Sequence, residues 1–415
     1  MKTRRPPATD QQPIHPWRGG GKLAIRATTE VIDLVEQMHR TIASGPAVLG
    51  SPFERLARAW TGGTYGTLRG VTRWVGTGVD LTLAQVGPLL GKSPPGPQRE
   101  ALLAALNGVV GDYLSESGNP LAIPMELRSG GRGLRLEREA LREQVPQPGR
   151  RLLVLVHGSS MNDLQWNRAG HDHGSALARD LGYTPLYLRY NSGLHISTNG
   201  RALSGLLEQL VSAWPDPVEE LSILGHSMGG LVARSACLAA EENGQRWRQQ
   251  LQKLVCLGSP HHGALLERGG SWVEFLLGVS RYSAPFVRLG QLRSAGVTDL
   301  RFGNVQDLHW EGVAGRWARL GDPRKTVSLP QGVDCYAIAA TRSPPLEKRL
   351  SGDGLVTVDS ALGRNRRPEL TLAFPEANQW IAYQASHLDL LSSPEVFGTL
   401  RSWLSRPRQP PASAA

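Results

Sequence analysis

Six short apolar runs, starting at residue 151, most constrain what this chain can fold into. They read RLLVLVHG, TPLYLRYN, LSILGHS, KLVCLGSPHHG, DCYAIAAT and ELTLAFPE. Each is rich in Val, Leu or Ile and breaks off at polar or glycine-rich residues. Stretches with helical spacing, such as NGRALSGLLEQLVSAW and MGGLVARSACLAAEENG, separate several of them. A strand that is apolar on both faces needs helices above and below it, so the pattern predicts an α/β fold: a mostly parallel sheet covered on both sides. Ligands of such sheets bind beyond the carboxyl ends of the strands.

The third run ends in Gly225-His226-Ser227-Met228-Gly229. A G-x-S-x-G segment between a strand and a helix forms a sharp turn that lifts the serine hydroxyl above the sheet. Ser227 is therefore the candidate nucleophile, and the N–H of Met228, at the start of the helix, is a candidate oxyanion donor. A hydroxyl of this kind needs an imidazole base oriented by a carboxylate, in the chain order Ser, Asp or Glu, His. His387, in QASHLDLLSSPEV, follows the last predicted strand and precedes a final predicted helix, which is where the base belongs. The acid should follow DCYAIAAT. Asp353, between Gly352 and Gly354, fits best; Glu347 and Asp359 are the rivals. The second oxyanion donor is expected from the N–H of Ser159, just past the first strand. His157, His261 and His262 stand at strand ends and are candidate substrate-binding residues. His226 sits inside the turn and is expected to point elsewhere.

Together LVLVHGSS, GHSMGGLVAR, LGSPHHG, GDGLV and SHLDLL resemble the α/β-hydrolase lipases and esterases, most of all the bacterial serine-lipase and GPI-inositol-deacylase-like branch. The resemblance runs over residues 150–405. It implies an α/β-hydrolase fold and an acyl-enzyme mechanism on carboxylic esters, with Ser227, Asp353 and His387 as the catalytic triad and no cofactor or metal. Two readings stand beside it: an acyltransferase using the same triad, and a non-enzymatic, membrane-associated scaffold on a hydrolase fold.

The rest of the chain is organised around that domain. Residues 1–27 are basic and rich in Pro and Gly, and are expected to be a disordered tail, as are residues 406–415. Residues 28–147 are expected to form a helical N-terminal region that includes PQREALLAALNGVVGDYLSESG. An insertion at about 264–330 is expected to form a cap, with Trp272 and Phe275 lining an apolar substrate pocket. The net charge of +10 favours anionic partners. No nucleic-acid-binding motif accompanies it, so no nucleic-acid partner is expected; a small-molecule or lipid ester is. His171 and His173, in GHDHG, resemble a metal pair but lack spaced ligands to complete a site. Three scattered cysteines, and a basic start without an apolar segment behind it, suggest a cytoplasmic setting. Peripheral membrane contact through the N-terminal helices is the accompanying expectation, set against simple packing.

Overall fold

The computed structural model describes residues 96–264, 294–307, 327–347 and 350–407. Strands β1 (Glu126–Ser129), β2 (Arg132–Gly133), β3 (Arg151–Val156), β4 (Thr184–Arg189), β5 (Glu220–His226), β6 (Leu251–Leu257), β7 (Asp334–Thr341) and β8 (Gln379–Tyr383) form one sheet. Its helices are α1 (Pro97–Glu116), α2 (Arg138–Gln144), α3 (His173–Leu181), α4 (Ile196–Ala213), α5 (Met228–Glu242), α6 (Trp247–Gln250), α7 (Ala295–Phe302), α8 (Val358–Ala361) and α9 (Pro394–Leu404). The strand order is β2-β1-β4-β3-β5-β6-β7-β8. From β4 to β8 all neighbours are parallel; β1 runs antiparallel to β4 and pairs with β2 as a hairpin.

The central strands carry the core. Leu152 to Val156, Ile223, Leu224 and Leu254 to Leu257 are all fully buried, as expected for strands covered on both faces. The chain leaves β3 to one side to make β4, then crosses back to place β5 on the other side. That reversal opens a crevice at the carboxyl ends of β3 and β5, the usual ligand position in an open α/β sheet.

Three expectations are corrected. The segment 28–147 is not helical throughout, because β1 and β2 lie inside it. Their two-residue turn, Gly130-Gly131, has both φ angles positive (56° and 75°), the geometry that a tight hairpin takes from glycine. Nor is 150 a domain boundary: α1 and the hairpin belong to the same compact unit as the sheet, which spans Ser93–Ala415. ELTLAFPE, in turn, is not the last strand. Leu370, Leu372 and Phe374 do point inward, giving the alternation of a strand, but Leu372 N–H donates to Gly363 O and not to the sheet. The strand is the next segment, QWIAY, whose half-exposed edge position hides the apolar signal.

The expected N-terminal tail, the helices before residue 96, and Trp272 and Phe275 of the cap lie outside the described residues. Of the cap, α7 is described.

Candidate active site

Ser227 stands between β5 and α5 with φ 55° and ψ −123°. A non-glycine residue with positive φ costs energy unless its surroundings hold it there. Here they do. Ser227 N–H donates to Leu257 O at 2.8 Å, and Gly230 N–H donates to Ser227 O at 3.1 Å. The glycines of the motif are required by close approach. A β-carbon at Gly225 would lie 2.5 Å from Gly230 N, and one at Gly229 would lie 2.1 Å from Val156 O. Helix α5 therefore starts directly over the ends of β3 and β5, with Met228 as its first residue.

The candidate acid and base are brought together. His387 Nδ1 lies 2.6 Å from Asp353 Oδ2, and both side chains are buried. Asp353 sits in a tight loop after β7 between Gly352 (φ 82°) and Gly354 (φ 103°). Its Oδ1 accepts from Leu355 N–H (2.9 Å) and Val356 N–H (2.8 Å), which leaves Oδ2 for the imidazole. A carboxylate accepts and does not donate, so His387 holds its proton on Nδ1 and presents Nε2 as the basic nitrogen.

The loop carrying His387 is also fastened to the elbow. His226 Nε2 donates to His387 O at 3.1 Å, and the two ring centroids are 4.8 Å apart. Gly258 follows the residue that holds Ser227 N–H, and a β-carbon at Gly258 would lie 3.1 Å from His387 Cε1. Ser227 and His387 thus pack on consecutive residues, Leu257 and Gly258. The sequence marks His226 only as a residue inside the turn. Its role as a tether depends on a contact 161 residues away, which no local pattern displays.

Beyond β3, Ser159 is buried, in a loop packed against the elbow: a β-carbon at Gly158 would lie 3.1 Å from Ser227 Cβ. The other candidate histidines engage protein groups. His157 stacks on Tyr190 at 4.3 Å, and its Nδ1 donates to Gly158 O at 2.8 Å. Burial brings its pKa down to about 3, so it is neutral. His261 Nδ1 accepts from Arg234 Nη1 at 3.2 Å; burial and the neighbouring Arg234 charge hold its pKa far below the ordinary value. His262 Nε2 donates to Gly363 O at 2.9 Å. His171 donates to His173, whose Nε2 donates to Leu390 O, so the pair ties α3 to the segment that follows His387. Among the described residues, no group of three or more His, Cys, Asp or Glu side chains is placed to hold a metal ion. No helix of those residues is long and apolar enough to cross a membrane.

This architecture defines the chain's class. Residues 149–307 match a family model described as the PGAP1-like alpha/beta domain. The sheet order and the strand–serine–helix elbow, which begin within these residues, are those of an α/β-hydrolase-like fold. Among solved structures, the chain is similar to a mature lipase of Bacillus licheniformis at 18% identity, covering 63% of this chain and 94% of that one, with a TM-score of 0.40. It is also similar to an esterase of Pyrococcus furiosus (13% identity, 63% and 85% covered, TM-score 0.37). A thermophilic esterase of Thermogutta terrifontis gives 14% identity, 69% and 94% covered, and a TM-score of 0.37. No curated protein matches the chain significantly.

Proposed function

We propose that the protein is a serine hydrolase that cleaves carboxylic esters through an acyl-enzyme intermediate. The observation that carries this reading is the buried Asp353–His387 pair, held at 2.6 Å on the same sheet edge as the strained Ser227 elbow. In this reading His387 Nε2 takes the proton of Ser227 Oγ as the oxygen attacks the ester carbonyl. Asp353 fixes the tautomer and stabilises the imidazolium that forms. The N–H groups of Ser159 and Met228 bind the tetrahedral oxyanion, with the positive end of α5 adding to the field. Collapse of that intermediate expels the alkoxide, which takes the proton from His387. Water, activated by the same imidazole, then attacks the acyl-serine and frees the acid.

The test is turnover of a short p-nitrophenyl ester together with labelling by a fluorophosphonate probe. Ser227→Ala is expected to lose both while keeping its fold, because the smaller side chain leaves the elbow's glycine contacts untouched. A Ser227→Ala protein that still turns over the ester at the wild-type rate overturns the assignment. An activity series over esters of rising chain length then separates an esterase from a lipase.

A further inference from the structure

Helix α1 comes from the part of the chain expected to stand apart from the hydrolase domain, yet it is buried almost all round. Residues 103–111 are buried without interruption. A helix lying on a surface would keep a polar face there. What it touches explains the burial. Gly108 is pressed on the loop beyond β3: a β-carbon there would lie 2.0 Å from Ser160 Oγ and 2.9 Å from Ser160 Cα. One turn on, a β-carbon at Gly111 would lie 1.9 Å from Asn191 Oδ1, and one at Gly193 would lie 2.1 Å from Asn107 O. Three hydrogen bonds lock the contact. Asn191 Nδ2 donates to Gly111 O (2.8 Å), Ser294 Oγ to Gly108 O (2.7 Å) and Ala295 N–H to Asp112 Oδ2 (2.8 Å). Between these glycines the helix is kinked at Val110, whose φ is −134° and ψ 22°.

Ser160 is therefore held from two sides. Its N–H donates to Ser192 Oγ at 2.9 Å, while α1 blocks its other face. Its φ of 58° is unusual for a serine and needs such a clamp. The neighbouring peptide carries the N–H of Ser159. We propose that α1 sets the oxyanion loop, with Gly108 as a positioning residue that fixes the Ser159 N–H by bearing on Ser160. The inference rests on the reading of Ser159 as an oxyanion donor. Gly108 touches no reacting atom; its missing side chain lets the helix come close enough to hold the loop.

The experiment compares full-length variants. Gly108→Ala should remain folded, lower kcat on the order of 10²-fold, as displacement of a catalytic group by about an ångström does, and leave KM near wild type. Ser160→Gly removes the two side-chain atoms in the way, so kcat of Gly108→Ala/Ser160→Gly should recover towards that of Ser160→Gly alone. Leu114→Ala, a fully buried position in the same helix, should lower Tm without the fall in kcat. Hydrogen exchange at residues 158–163 should rise in Gly108→Ala. If Gly108→Ala does not fold, Ser294→Ala, which adds no atoms, should show the same kcat loss at a several-fold level. A folded Gly108→Ala with wild-type kcat overturns the proposal, as does Leu114→Ala losing as much kcat. A wild-type chain that resists fluorophosphonate labelling overturns the hydrolase reading instead, and the exchange measurement then still decides whether α1 holds the loop.

Discussion

The two ends of this sheet treat buried polar groups in opposite ways. At the amino end, Glu220 is enclosed by partners. Lys253 Nζ donates to it at 2.9 Å, Arg151 Nε at 2.9 Å and Ser222 Oγ at 3.0 Å, and the Tyr183 hydroxyl donates to it as well. Burial alone would raise the pKa of that carboxylate, but Tyr183, Lys253 and Arg151 together hold it below the usual range. At the carboxyl end, His157 Nε2, Ser159 Oγ, Ser160 Oγ, Asn162 Nδ2, Trp166 Nε1 and His226 Nδ1 are buried without a hydrogen-bond partner among the described residues. The amino end surrounds its buried carboxylate with donors, while the carboxyl end gathers six unpartnered buried polar atoms around a strained serine. Native chains concentrate such violations where chemistry is done.

Substitutions at the two ends should therefore separate rate from stability. The largest effect is expected at Asp353→Asn. Its Oδ1 can keep both backbone hydrogen bonds, so Tm should hardly move, while kcat for a p-nitrophenyl ester should fall on the order of 10⁴-fold through the wrong imidazole tautomer. At the opposite end, Glu220→Gln should leave kcat of the folded protein unchanged. It should cost about 3–5 kcal/mol in denaturant unfolding, because the Lys253 ammonium, 1% exposed, loses its charged partner. A variant that moved both quantities would blur the division.

Acid should act through the carboxyl end first. Burial, the largest cause in each case, lowers the pKa of His157 to about 3 and of His173 to about 4, and lowers those of His226 and His261 as well, from an ordinary value near 6.5. The unfolded chain then binds protons that the folded chain refuses. The stability these groups confer is complete above pH 6.5 and declines as pH falls towards 4 and then 3. Chemical unfolding across that range should show a falling midpoint, and His173→Gln should flatten the slope. The smallest effect is expected at Ser159→Ala. Its hydroxyl has no hydrogen-bond partner among the described residues and its proposed work is done by the backbone, so kcat should change by no more than a few-fold and Tm should not drop.

The parts of this design that the sequence displays are those with local chemistry. G-x-S-x-G at a strand–helix junction draws attention to Ser227 because the turn itself demands the flanking glycines. Asp353 stands out because two glycines let its loop close, and His387 because it lies between the last strand and the last helix. What stays hidden depends on contacts between distant segments. Gly108 looks like a weak point in a helix until Ser160 is seen against it, and His226 looks like filler in the motif until the carbonyl of His387 is found. The β1–β2 hairpin was legible through Gly130-Gly131, but the helical texture around it masked the signal. QWIAY gives a weak strand signal because an edge strand can do without a long apolar run, whereas the inward-facing ELTLAFPE imitates one.

The order of these parts along the chain has a consequence in time. Ser227 leaves the ribosome well over a hundred residues ahead of His387, and α9, whose Leu404 carbonyl accepts from Arg151 and Tyr183, comes later still. In the proposed mechanism Ser227 therefore lacks its base until the segment after β8 has been made, and the two meet only once the strands between them have joined the sheet.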